Sequence, residues 1–136
     1  MAIKTILLLK RRPGLSAEDF RTAYETRHSR LALRLFGHLW LAYRRSYLGP
    51  ANRFSDAAGT PTDAGAAGAD SPYDVITEIV YRDRAALEES NRIAAIPENA
   101  RLLAEDEASM FDREACLASI VEVIEEDLSV IHTHRG

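Results

Sequence analysis

A largely apolar run, Ile3 to Leu9, ends in Lys10-Arg11-Arg12 and passes at once into Pro13-Gly14 and Leu15-Ser16-Ala17-Glu18-Asp19-Phe20. This junction constrains the fold more than any other part of the chain. A short apolar run bounded by a turn signal reads as a strand buried on both faces, and Pro-Gly suits a tight turn. Ser16 can accept a backbone hydrogen bond as an N-cap, and Glu18 and Asp19 place negative charge in the first helical turn, where the helix dipole favours it. Phe20, Tyr24, Arg27, His28, Leu31 and Leu35 then recur at spacings of three and four until Gly37. The spacing predicts one helix from about Ser16 to Phe36 with these residues on a single stripe.

His38 to Leu48 is rich in aromatic and aliphatic residues, Trp40, Tyr43 and Tyr47 among them, and reads as a second strand. Between 52 and 72 the composition falls to Ala, Gly, Asp, Ser, Thr and Pro, too little apolar material to offset the entropy of ordering it. That segment is expected to be a flexible loop, either a surface insertion or a lid over a pocket. Tyr73 to Tyr81 alternates, with Tyr73, Val75, Thr77, Ile79 and Tyr81 on one face and Asp74, Ile76, Glu78 and Val80 on the other, a third strand. Asp83 can cap a short helix to about Arg92, and Pro97 suits the first turn of another reaching about Met110. Leu117 to Glu125 alternates with apolar groups on both faces, a fourth strand, and the tail 127–136 is expected to be loose.

Strand, helix, strand, strand, helix, strand is the order of a ferredoxin-like α+β sandwich, in which two helices cover one face of a four-stranded antiparallel sheet. The chain of 136 residues suits one domain spanning 1–136. Strands apolar on both faces need the second sheet face covered too, and the expectation is a homodimer whose sheets form an α/β barrel. A net charge of −4 with basic residues scattered among acidic ones lacks the footprint that holds nucleic-acid phosphates, and no apolar run reaches membrane-spanning length. Neither nucleic acid nor a membrane is expected as a partner. The lone Cys116 can form no internal disulfide, and Met1-Ala2-Ile3-Lys4 runs into a strand pattern instead of a signal peptide, so the expected compartment is the cytoplasm.

The segment Leu9-Lys10-Arg11-Arg12-Pro13-Gly14-Leu15-Ser16, with Glu18, Phe20, Tyr24 and His28, then Tyr73-Asp74 leading to Glu78, and finally Ala104-Glu105-Asp106-Glu107-Ala108-Ser109-Met110-Phe111-Asp112, resembles the EthD family of dimeric α/β-barrel proteins. The resemblance spans most of the chain outside 52–72. It implies the ferredoxin-like fold and the dimer. EthD-like proteins occur in bacterial catabolic gene clusters, first noted beside the oxidation system for fuel ethers, and similar fungal barrels decarboxylate or dehydrate polyketides without a cofactor. The chain departs from the commonest family pattern after His28, where Ser29-Arg30 replaces a small residue and proline. That leaves the helix free to continue.

His28 is the first candidate for chemistry, because an imidazole gives or takes a proton near neutral pH without a cofactor. The alternative is a core-edge histidine bonded to a backbone carbonyl. Tyr24, one turn earlier, could orient the imidazole or bind a substrate oxygen, or simply be core. Glu78 and Asp74 share the strand face expected to line the barrel, where a desolvated carboxylate titrates upward unless Arg44 or Arg11 pairs with it. Glu78 is a third catalytic candidate, and Trp40, Tyr43, Asp74 and Phe111 are candidates for holding substrate. Of Trp40, Tyr43 and Tyr47, some must face the helices as core. Asp106, Glu107 and Asp112 read as a solvated helix end, and Cys116 as structural. His132 and His134 have no ligand-spaced neighbours, and phosphate-loop, nucleotide-binding and Ser or Cys nucleophile motifs are missing, so neither metal nor cofactor is expected.

The function these residues suggest is cofactor-free proton transfer by His28, in a lyase or isomerase-type step on a hydrophobic or aromatic catabolite. A non-catalytic binding or accessory protein of an oxygenase system, and a cofactor-free monooxygenase, are the alternatives.

Overall fold

The computed structural model describes residues 1–51, 54 and 71–133. Its order is β1 (Ile3–Leu9), α1 (Ala17–Ala23), a π-helical turn (Tyr24–His28), α2 (Ser29–Phe36), β2 (Trp40–Tyr47), β3 (Val75–Tyr81), α3 (Arg84–Ala95), α4 (Pro97–Met110), β4 (Leu117–Val121) and α5 (Ser129–Thr133). The four strands form one antiparallel sheet in the order β2-β3-β1-β4, the ferredoxin-like arrangement. The predicted loop 52–72 lies outside the described residues except for 54, 71 and 72, and α5 occupies part of the tail expected to be loose.

The turn after β1 uses Gly14 at φ 85°, a backbone conformation that favours glycine. Ser16 Oγ accepts from the Asp19 N–H at 3.0 Å and starts α1 as expected, and Asp83 caps α3 by accepting from the Ala86 N–H at 2.8 Å. Central β1 sets the sheet's faces. Its pairings Leu7 with Thr77 and Leu9 with Val75 put these residues on the helix-covered side, while Ile6, Leu8, Ile76 and Val80 fall on the other. Val75, Thr77, Ile79 and Tyr81 are all buried under the helices.

The strands differ from the sequence expectation in two boundaries and one register, and β2 runs Trp40–Tyr47 instead of His38–Leu48. β4 ends at Val121 instead of Glu125 because Val121 already pairs with Lys4, almost the start of β1, so the residues beyond have no ladder to join. β3 starts at Val75 instead of Tyr73: the Asp74 N–H donates to the Leu9 carbonyl, but the Asp74 side chain turns away to Arg11. In β2 the register shifts between Trp40 and Ala42, leaving Leu41 as the extra residue, 63% exposed. A bulge of this kind reverses the alternation locally. Trp40, Tyr43 and Tyr47 therefore all face the helices, opposite Tyr81, Ile79 and Val75.

The first helix is continuous over the expected span but changes pitch. The Ser29 N–H donates to the Tyr24 carbonyl, five residues back, so the turn Tyr24–His28 holds one residue more than an α turn. The buried stripe shifts accordingly. Phe20 before the turn and Tyr24 at its start are buried, and Ser29, Ala32 and Phe36 after it, whereas the expected Leu31 and Leu35 are only half-buried. The helices cover two core clusters: Leu9, Phe20, Tyr24, Val75, Met110 and Phe111, and Leu39, Ile79, Tyr81 and Ala86.

Candidate active site

The π turn brings Tyr24 and His28 onto the core together. Their ring centroids are 4.8 Å apart, edge to face, and the His28 ring stands 5.2 Å from that of Phe111, the residue that ends α4. π turns inside helices frequently mark functional sites, because the extra residue aims side chains that a regular helix would not.

His28 Nδ1 lies 2.5 Å from Asp106 Oδ2, and Arg27 Nε donates to Asp106 Oδ1 at 2.8 Å. The Asp106 side chain is only 5% exposed. Burial alone pushes such a carboxyl upward, but the hydrogen bonds and charges of His28 and Arg27 outweigh it, and Asp106 titrates below its ordinary value. An ionised carboxylate only accepts, so Nδ1 carries the proton and donates to it. In the neutral form of the imidazole this leaves the lone pair on Nε2. Among the described residues Nε2 has no hydrogen-bond partner.

A cleft of about 260 Å³ opens beside this ring, lined by His28 with Leu7, Leu9, Phe111, Cys116 and Leu117 among others. Its walls are mainly apolar, with Glu107 and Arg113, ion-paired at 3.3 Å, as the charged part of the lining. Cys116 offers little nucleophilic power: burial pushes its thiol up, and Sγ is engaged with the backbone of Lys10, accepting from the N–H and donating to the carbonyl.

Beneath His28 lies a layer of phenols. The Tyr24 hydroxyl is 2.5 Å from Thr77 Oγ1, and Tyr24 and Thr77 are each 1% exposed. Burial, together with neighbouring Tyr43, drives the Tyr24 hydroxyl far above its ordinary range, so it stays protonated and acts as a hydrogen-bonding group. Tyr43 is raised by burial as well. At the layer's edge Tyr47 donates to Glu25 Oε2 at 2.6 Å, and Arg45 donates to both Glu25 oxygens, at 3.1 and 2.5 Å. The Arg45 hydrogen bond, opposed by burial and aided by Tyr47, holds Glu25 below its ordinary value.

Of the residues singled out in the sequence, His28, Tyr24 and Phe111 converge on one place. Tyr43 lies in the adjoining phenol layer. Trp40 does not join them: it packs on Phe36, Tyr43 and Tyr81 in the other core cluster, with its Nε1 buried and unbonded. Glu78 stands on the open face of the sheet, where the pairing Arg44 with Glu78 also falls, and Lys4 Nζ binds it at 2.7 Å. The Lys4 hydrogen bond lowers its titration, so the upward shift expected of an unpaired carboxylate does not arise. Asp74 lies before β3 and is occupied by the Arg11 N–H and guanidinium, both at 2.8 Å, with Lys10 Nζ at 3.6 Å. Neither carboxylate reaches the cleft. Asp106, read from the sequence as part of a solvated helix end, is buried instead. The signal was present: Asp106 follows Leu103 by three and precedes Met110 by four, which puts it on the core stripe of α4.

Solved structures share this architecture. An EthD-like protein from Ralstonia eutropha superposes with a TM-score of 0.60 at 18% identity, covering 94% of this chain and 96% of its own. A dimeric ferredoxin-like protein from Jannaschia gives 0.51 at 18% identity, covering 90% and 100%. SnoaB, a cofactor-independent oxygenase from Streptomyces nogalater, gives 0.51 at 9% identity, covering 92% and 95%. No curated protein matches the chain. The EthD domain model matches residues 12–114, from the turn after β1 through the segment that carries Phe111, and the chain belongs to the EthD family.

Proposed function

We propose that this protein is a cofactor-free enzyme in which His28 moves a proton on a small hydrophobic or aromatic catabolite, in a lyase or isomerase-type step. The observation that carries this reading is the division of labour on one imidazole: Nδ1 is tied to buried Asp106, while the ring borders a mainly apolar cleft with Nε2 unbonded. A carboxylate behind a histidine fixes the tautomer and stabilises the imidazolium formed when the other nitrogen takes a proton. The cleft walls suit an aromatic body, and a carbon acid beside a carbonyl is the group a neutral imidazole can deprotonate.

The same fold carries a cofactor-independent oxygenase in SnoaB, which favours oxygenation of an electron-rich phenol as the second reading. An accessory protein of an oxygenase system would bind such molecules without turning them over. We also assign the open sheet face to a second copy of the chain. Ile6, Leu8, Ile76 and Val80 lie there, Leu117 nearby is 56% exposed, and the Jannaschia relative is described as dimeric.

The test is to incubate the protein with aromatic β-dicarbonyl compounds in D2O, following deuterium entry by NMR, and with phenols in an oxygen electrode. Proton transfer predicts deuterium entry that His28→Ala lowers by about 10²–10⁴-fold while the fold is kept. Exchange unchanged in that variant would remove His28 from the reaction. Oxygen uptake would favour the second reading, and saturable binding without either signal would favour the accessory role.

A further inference from the structure

A groove of about 630 Å³, sharing no lining residue with the His28 cleft, runs between the first helix and α4. Arg27, Arg30 and Arg34 line it from one helix, with Leu31 and Leu102 as apolar floor and Glu105, Asp106 and Ser109 on the α4 side. Each acid there already has cations. Glu105 accepts from Arg101 at 3.0 Å, and Asp106 is held by Arg27 and His28. Arg27 also donates to Ser109 Oγ at 2.7 Å.

Arg30 and Arg34 are left without a carboxylate among the described residues. Arg30 Nε donates to Ser29 Oγ at 3.2 Å, which steadies the side chain and leaves the rest of its guanidinium fork open. The two arginines are four apart on α2, where like charges repel each other. An anion between them would relieve that repulsion, and guanidinium forks bind carboxylates with two parallel hydrogen bonds.

We propose that this groove is a binding site for an amphipathic organic anion, with a carboxylate on Arg30 and Arg34 and an apolar body on Leu31 and Leu102. The size of the groove admits a molecule of several carbons, and its floor gives a reason for an apolar tail that free phosphate would not exploit. The proposal stands apart from the His28 reading, because none of its ligating groups lies in the cleft.

Octanoate is the probe, titrated calorimetrically at low ionic strength into the full chain and into Arg30→Ala/Arg34→Ala, with 1-octanol and Arg92→Ala as controls. Both replaced arginines are exposed and helical, and Ala sustains a helix, so the double variant should fold. The expected result is saturable octanoate binding weakened about tenfold or more in the double variant. Arg92→Ala, which removes an exposed charge on α3, should bind as the original does, and 1-octanol should bind far more weakly than octanoate. Absence of saturable binding would overturn the proposal, as would equal affinity in the double variant, an equal loss in Arg92→Ala, or octanol binding as well as octanoate.

Discussion

A carboxylate tied to a cation lies on each side of the sheet, one on a strand and one on the covering helix α4, and the contrast between them shows what burial does to such a pair. On the open face Glu78 meets Lys4 on a neighbouring strand, with side chains 24% and 27% exposed. On the helix-covered face Asp106 meets Arg27 and His28 at 5% exposure. The first pair is solvated, so water competes for both charges and the net gain is small. In the second the carboxylate itself and His28, 14% exposed, are withdrawn from water while Arg27 reaches solvent. An imidazole, unlike an ammonium, exchanges its proton near neutral pH. The same ion-pair chemistry therefore decorates one surface and orients an imidazole beneath the other.

Packing provides the sharpest way to break this comparison. Phe20→Ala, in the covered core at 1% exposure, should cost about 3–5 kcal/mol in denaturant unfolding. Ile76→Ala, half-buried on the open face, should cost clearly less in the isolated chain. If the second copy covers that face, the cost of Ile76→Ala should rise with protein concentration.

The carboxylates come next. Asp106→Asn removes charge-assisted bonds from a buried site and should cost about 1–3 kcal/mol, tempered because Arg27 can turn to solvent. Glu78→Gln should cost under about 1 kcal/mol. Equal costs would mean that burial does not separate the faces. Tyr24→Phe, which orphans the Thr77 hydroxyl, should cost about 1–3 kcal/mol by the same measurement.

Acid unfolding gives the smallest and most specific difference. Asp106 is lowered in the folded state, so its contribution is fully present above its ordinary value of 3.8 and is lost as pH falls below that toward the folded value. Stability measured against pH should show this fall in the original protein and a shallower one in Asp106→Asn. Glu78→Gln should leave the fall nearly intact, since water reaches both members of the Lys4–Glu78 pair, 27% and 24% exposed, and screens them.

The features legible in the sequence are those whose cause is local. Ser16, Gly14, Asp83 and Pro97 act on their own backbone or a turn away, and each lies where its chemistry requires. Tyr24, His28 and Phe111 were legible too, two by helical spacing and one by family resemblance. What stayed hidden depends on distant partners. The π turn moves burial from Leu31 and Leu35 to Ala32 and Phe36, the extra residue at Leu41 reverses Trp40, and Asp106 finds His28 at a separation of 78 residues. The alternation of β3 places Glu78 on the correct sheet face, but its partner is Lys4, which only the strand register brings alongside.

The central claim is that buried Asp106 holds His28 with the proton on Nδ1 and the lone pair on Nε2. Long-range ¹H–¹⁵N NMR of the imidazole, at a pH where His28 is neutral, reads this without any substrate. The account predicts a protonated Nδ1 and a bare Nε2, with that preference reduced in Asp106→Asn. A protonated Nε2, or two nitrogens averaging equally in the original protein, would contradict it.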